Sequence, residues 1–185
     1  MTNYSAPRFA AAPLPMPPRY RFRPVGDVRS ATFVSKSPLR SIKNPGSHTA
    51  AQKAGKRFEK KLLSRLDSTD DYQVLKAPWI QYEVSEAGPR WCQPDALISR
   101  KTDVLIVEAK LTHTADAYWQ LRQLYEPIVK WIFPKAVVHL VEVTRSFDPA
   151  VRMPEEMVLF FDLVELLKAL PATAKPEVYV LQWKL

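Results

Sequence analysis

Cysteine is almost missing: Cys92 is the single one in 185 residues. That excludes an internal disulfide and any cysteine-based metal cluster. Glycine is scarce too, with four in the chain, and there is no glycine-rich loop of the kind that cradles phosphates. No apolar run approaches the roughly 20 residues of a membrane span, and the N-terminal stretch has no signal-peptide core. A cytoplasmic protein with no membrane partner is expected. The histidines His48, His113 and His139 lack the i, i+4 spacing that offers two imidazoles to one metal. Acids are nearly absent from the first 45 residues, where Asp27 stands alone.

What that segment does contain is base and proline. Arg8, Arg19, Arg21, Arg23, Arg29, Lys36, Arg40 and Lys43 give residues 1–45 a charge of +7, out of +8 for the whole chain. Eight of the seventeen prolines are there as well, a density that opposes regular helix and central strand. The segment reads as an extended arm, followed by one domain over 46–185. Such an arm can contact a phosphate backbone or a protein partner, a second copy of the chain included, or be a solvated tail. Tyr20 and Phe22, set among arginines, suit stacking on bases or packing into a partner's groove. The domain is expected to fold without residues 1–45.

In the domain, Val104 to Val107 is a β-branched and aliphatic run, the composition of a buried strand. Glu108 and Lys110 then interrupt it from one face, with Ala109 on the other. A second apolar run, 96–98, follows Pro94-Asp95. If Lys101 and Thr102 form a two-residue hairpin loop, Arg100 pairs with Asp103 and Asp95 falls opposite Glu108. Two carboxylates and a lysine then share one spot. The carboxylates repel each other unless a divalent cation joins them, and oxygen ligands suit magnesium or manganese.

Helices flank this hairpin. Thr49 and Gln52 form a capping box ahead of a stripe of Phe58, Leu62 and Leu66, with Glu59 at its border. A second helix is expected over 114–133, buried through Ala117, Leu121, Leu124, Ile128 and Ile132, and kinked or divided at Pro127. Gln120 lies near its start, and Trp119 and Trp131 read as core or interface aromatics. The residues between the helices suggest an antiparallel meander of about three strands. Strand is expected at 136–144, making a parallel crossover pair. A further helix is expected at 157–170 and a last strand at 178–182.

Pro94-Asp95 with Glu108-Ala109-Lys110 thirteen residues after the aspartate resembles the signature of the PD-(D/E)XK nucleases. The resemblance covers about residues 50–144. It implies a mixed α/β, restriction-endonuclease-like core in the order αβββαβ and magnesium-dependent cleavage of nucleic-acid phosphodiesters. It further implies that Asp95, Glu108 and the Ala109 carbonyl bind the metal, and that Lys110 orients or deprotonates the attacking water. Glu59 would support a second metal or its water shell. Gln120 would position Lys110 or the scissile phosphate. From the residues alone, Glu59 is equally a solvated helix edge and Gln120 an ordinary helix glutamine.

The Gly55 to Glu59 wording resembles Holliday-junction resolvases, while the arginine-rich lead resembles transposon-end nucleases. Phage recombination nucleases fit as well, so a bacterial or phage-infected cell is the expected setting. The exonuclease-like branch spaces its glutamine and tyrosine by three residues; here Gln120 and Tyr125 are separated by four. The alternative from another class is an inactive nuclease-fold module that binds nucleic acid or scaffolds an assembly through the basic arm.

Overall fold

The computed structural model describes residues 20, 24–35, 49–84, 88–148, 157–170 and 178–183. The chain runs β1 (Val28–Val34), α1 (Ala50–Leu63), β2 (Gln73–Lys76), β3 (Trp79–Val84), β4 (Pro89–Cys92), β5 (Ala96–Arg100) and β6 (Asp103–Thr112). It continues through α2 (Ala115–Trp119), a π-helical turn (Gln120–Tyr125), α3 (Glu126–Ile132), β7 (Val137–Ser146), β8 (Met157–Phe160), α4 (Leu163–Ala169) and β9 (Val178–Gln182). This is a mixed α/β fold. Its main sheet has the order β2-β5-β6-β7-β9-β8, antiparallel on the β2–β5–β6 side and parallel from β6 to β8.

β6 lies inside that sheet because both of its faces are apolar. Val104 and Ile106 pack with Leu140, Tyr118, Leu121 and Ile128 under the α2–α3 layer. Leu105 and Val107 pack with Phe58, Leu62 and Val141 under α1. Alternation then places Glu108 and Lys110 on the α2–α3 side and Ala109 on the α1 side. The hairpin closes at Lys101-Thr102 with Arg100 opposite Asp103, and the two are ion-paired at 3.2 Å. The Thr49–Gln52 capping box forms in both directions and starts α1.

Two expected elements come out differently. The meander splits: β2 joins the main sheet, whereas β3 and β4 leave it and form a second sheet, β1-β3-β4. Residues 157–170 are not one helix. Met157 to Phe160 is an apolar run in which three of four residues are buried, and it pairs with β9. The helix starts only at Asp162, whose side chain accepts from the Glu165 N–H at 2.9 Å. The helix over 114–133, by contrast, is divided as expected, with α3 carrying Pro127 in its first turn, where a missing N–H costs nothing. In an unbroken α-helix the Pro127 nitrogen would serve the Gln123 carbonyl. That carbonyl instead accepts from the Val25 N–H at 3.0 Å.

The extended arm is also corrected where it is described. Val28 to Val34 is strand β1, paired antiparallel with β3 of the same chain, so this part of the arm belongs to the domain. Tyr20 is fully buried in the core rather than offered to bases or a partner. Its ring meets Tyr118 edge-on at 5.5 Å, and its hydroxyl lies 2.7 Å from His113 Nε2. Deleting residues 1–45 therefore opens the core instead of sparing it. Tyr20→Ala should lower the unfolding free energy by about 3–5 kcal/mol, the usual cost of emptying a buried aromatic site, and urea denaturation would measure it. Arg29 lies exposed on β1. Arg19, Arg21, Arg23, Lys36, Arg40 and Lys43 lie outside the described residues, as does Phe22.

Candidate metal centre at the end of the β5–β6 hairpin

Ladder pairing between β5 and β6 ends at Ala96 and Val107. One step further, Asp95 would stand opposite Glu108, and a second step would set Pro94 opposite Ala109. Proline has no N–H to give the Ala109 carbonyl. The Asp95 side chain takes over the other half of that missing pair, with Oδ2 accepting from the Ala109 N–H at 2.6 Å. A strand residue's N–H and C=O project to the same side, so the Ala109 carbonyl faces the edge where Asp95 sits. Lys110 donates from Nζ to Glu108 Oε1 at 2.7 Å. Asp95, Glu108, Ala109 and Lys110 are thus brought together by a local hairpin, a proline and a strand alternation.

The crowding has an electrostatic cost. Burial pushes Asp95 up to about 6; the Ala109 N–H opposes this, the Glu59 charge adds to it, and Lys110 opposes it. Burial pushes Glu108 up to about 7, Asp95 adds to the rise, Lys110 opposes it, and Glu142 adds a smaller push. Glu59 is therefore within electrostatic reach of Asp95, on the half-buried border of α1. Glu108 Oε2 is buried without a hydrogen-bond partner among the described residues. An acceptor-only oxygen left bare among like charges is what a bound cation would satisfy.

The donor set fits magnesium or manganese. Both carboxylates and the Ala109 carbonyl supply hard oxygen, the preference of these ions. Among the described residues no three His, Cys, Asp or Glu side chains enclose a point. A cation here would therefore keep several waters, as magnesium commonly does.

Gln120 lies over this site through the π-helical turn, which packs on both β6 and β7. A side-chain hydrogen bond links it to the Tyr125 hydroxyl, while its Oε1 is buried without a hydrogen-bond partner among the described residues. Tyr125 in turn donates to the Gln93 carbonyl at 3.1 Å, just before Pro94-Asp95. A π turn sets residues i and i+5 in register, where an α turn sets i and i+4. Burial, followed by the Glu108 charge, raises the Tyr125 hydroxyl far above the ordinary phenol range, so it stays a neutral donor.

Two further residues belong to this neighbourhood and were not singled out as site residues from sequence. Glu142 is the in-register partner of Glu108 on β7 and is completely buried. His113 Nδ1 lies 2.7 Å from Glu142 Oε2. The available signal was the position of Glu142: it shares the inward face with Val138 and Leu140, where an unexplained charge is costly. Cys92, by contrast, is buried and its thiol is pushed up to about 12 by desolvation, which leaves it inert. Trp131 is half exposed rather than core. No helix among the described residues is long and apolar enough to cross a membrane.

The chain matches no protein-family model, and comparison with curated proteins and with solved structures finds no match.

Proposed function

We propose that this chain is a metal-dependent nuclease that hydrolyses DNA phosphodiester bonds, with a restriction-endonuclease-like core and a role in recombination, repair or the processing of mobile-element or phage DNA. The observation that carries the reading is the bond from the Ala109 N–H to Asp95 beside the Lys110–Glu108 pair. It ties the Pro-Asp and Glu-x-Lys halves of the resemblance to one point. The order α1, β2, β5, β6, α2–α3, β7 supports it, with β3 and β4 as an insertion.

In this reading Asp95, Glu108 and the Ala109 carbonyl hold magnesium or manganese. The ion would polarise the phosphoryl group and lower the pKa of a bound water. Lys110 orients that water and offsets the charge that develops on the phosphate. Glu59 acts on the water shell from the α1 side. Gln120 positions Lys110 or the scissile phosphate, and Tyr125 fixes the main chain at Gln93, just before Pro94-Asp95. Plasmid and branched DNA incubated in magnesium should be cut, and the same mixtures in EDTA should not. Intact DNA in both would leave the chain a nuclease-fold module without activity.

The basic N-terminal segment is the proposed DNA contact, through Arg19, Arg21, Arg23, Arg29, Lys36, Arg40 and Lys43. Because Tyr20 and β1 belong to the fold, its test is substitution and not deletion. Changing these side chains to serine should flatten the log–log salt dependence of DNA binding by roughly one unit per lost phosphate contact. An unchanged slope would assign the segment to a protein partner or to no binding role.

A further inference from the structure

Glu142 is held in an unusual way for a carboxylate with no exposure to solvent. Its Oε2 is occupied by His113 Nδ1 at 2.7 Å, and the Thr114 backbone N–H also donates to the group. His113 is itself backed by the Tyr20 hydroxyl, 2.7 Å from Nε2, with the two rings stacked at 6.0 Å between centroids. All three residues are buried. The other oxygen, Glu142 Oε1, is buried and has no hydrogen-bond partner among the described residues.

A core carboxylate that only stabilised the fold would be expected to use both oxygens, since leaving one bare in the interior is costly. Glu142 stands beside Glu108 in the parallel β6–β7 register, which sets the two on one face at the roughly 4.8 Å spacing of neighbouring strands. Glu108 Oε2 is bare as well. Each carboxylate thus has one oxygen engaged, by Lys110 or His113, and one bare, on adjacent strands. A hydrated cation brings donors for such oxygens.

We propose that Glu142 is a third carboxylate of the candidate metal centre, accepting through Oε1 from a water of the cation's hydration shell, while His113 and Tyr20 hold it from behind. The inference rests on the reading of Asp95 and Glu108 as cation ligands. It makes Tyr20 a positioning residue: the N-terminal segment contributes to the site from inside the core, whatever its arginines contact.

Calorimetric titration of magnesium and manganese into the full chain tests this without reference to cleavage. Glu142→Gln should weaken cation affinity by about 10-fold, the scale typical of outer-shell partners. Its thermal midpoint without metal should be unchanged or higher, because a buried charge is replaced by a neutral isostere. A purely structural Glu142 would show the reverse pattern, with a lower midpoint and wild-type affinity. Tyr20→Phe keeps the ring and removes the hydroxyl, and should cost about threefold in affinity, the scale of one neutral hydrogen bond.

Wild-type affinity in both variants overturns the proposal. Asp95→Asn separates the two levels of inference. If it abolishes binding while Glu142→Gln does not weaken it, the centre stands and the role of Glu142 falls. If the wild type takes up no cation, the reading of the centre fails and this proposal with it.

Discussion

Lys110→Ala should cleave DNA at least about 100-fold more slowly than the wild type while still binding its cation. Lys110 lies at 2.7 Å from Glu108 and is about a quarter exposed, so it is neither a core residue nor a free surface one. Removing it leaves Asp95, Glu108 and the Ala109 carbonyl in place. It also removes a positive charge that opposes the incoming metal, which favours binding. One effect runs the other way: Lys110 holds the Glu108 pKa down, so the variant's carboxylate is protonated at higher pH. Affinity should therefore be followed as a function of pH in both proteins, which separates proton competition from the loss of the lysine charge. Losing a group that stabilises transition-state charge or assists proton transfer commonly costs about 10²-fold or more. Single-turnover cleavage beside calorimetry separates the two steps. Cleavage at the wild-type rate would reduce Lys110 to the solvated end of a strand, and the nuclease reading would lose its central residue.

The parts of this site that could be read from sequence are those fixed by local rules. A two-residue loop at Lys101-Thr102 sets the β5–β6 register, and that register alone brings Asp95 to Glu108 and Lys110. The Thr49–Gln52 box likewise places α1, and with it Glu59. What could not be read depends on contacts distant in sequence. Glu142 reaches Glu108 through a crossover whose register no turn specifies. Tyr20 lies 93 residues from His113, and a proline-rich, arginine-rich context gives no sign that its ring fills a core. Residues 157–160 illustrate a different obstacle. Four apolar residues leading into a helix fit a helical pattern as well as a buried strand, and pairing with β9 decided the matter. The π turn arises where Pro127 removes a helical donor and the Val25 N–H is available to the freed carbonyl. Neither residue predicts that outcome alone.

Asp95→Ala should abolish cation uptake and cleavage together, and in the wild type both should fall steeply as the pH drops below neutrality. The pair Asp95–Glu108 carries raised pKa values, about 6 and about 7, chiefly because burial opposes its charge; Glu59 adds to the rise at Asp95, and Asp95 adds to the rise at Glu108. Unfolded, the same groups titrate near 4. The cation-free folded state therefore binds protons more tightly than the unfolded chain, which fixes the sign of the linkage. At pH 8 the charged pair destabilises the fold in full. As the pH falls through 7 and 6 the pair protonates and the fold gains stability, by at most roughly 3 kcal/mol per group for shifts of about two units; the gain is complete near pH 4. Magnesium must compete with those protons, so it should raise Tm at pH 8 and lose that effect below about pH 6. In Asp95→Ala one carboxylate is gone and the pressure on Glu108 is eased. Its Tm at pH 8 without metal should approach or exceed that of the wild type, and magnesium should no longer shift it. Thermal scans from pH 5 to 8, with magnesium and with EDTA, read all of these effects at once. A magnesium shift in Asp95→Ala equal to the wild type's would show that the cation sits elsewhere, and the centre at the β5–β6 edge would have to be abandoned.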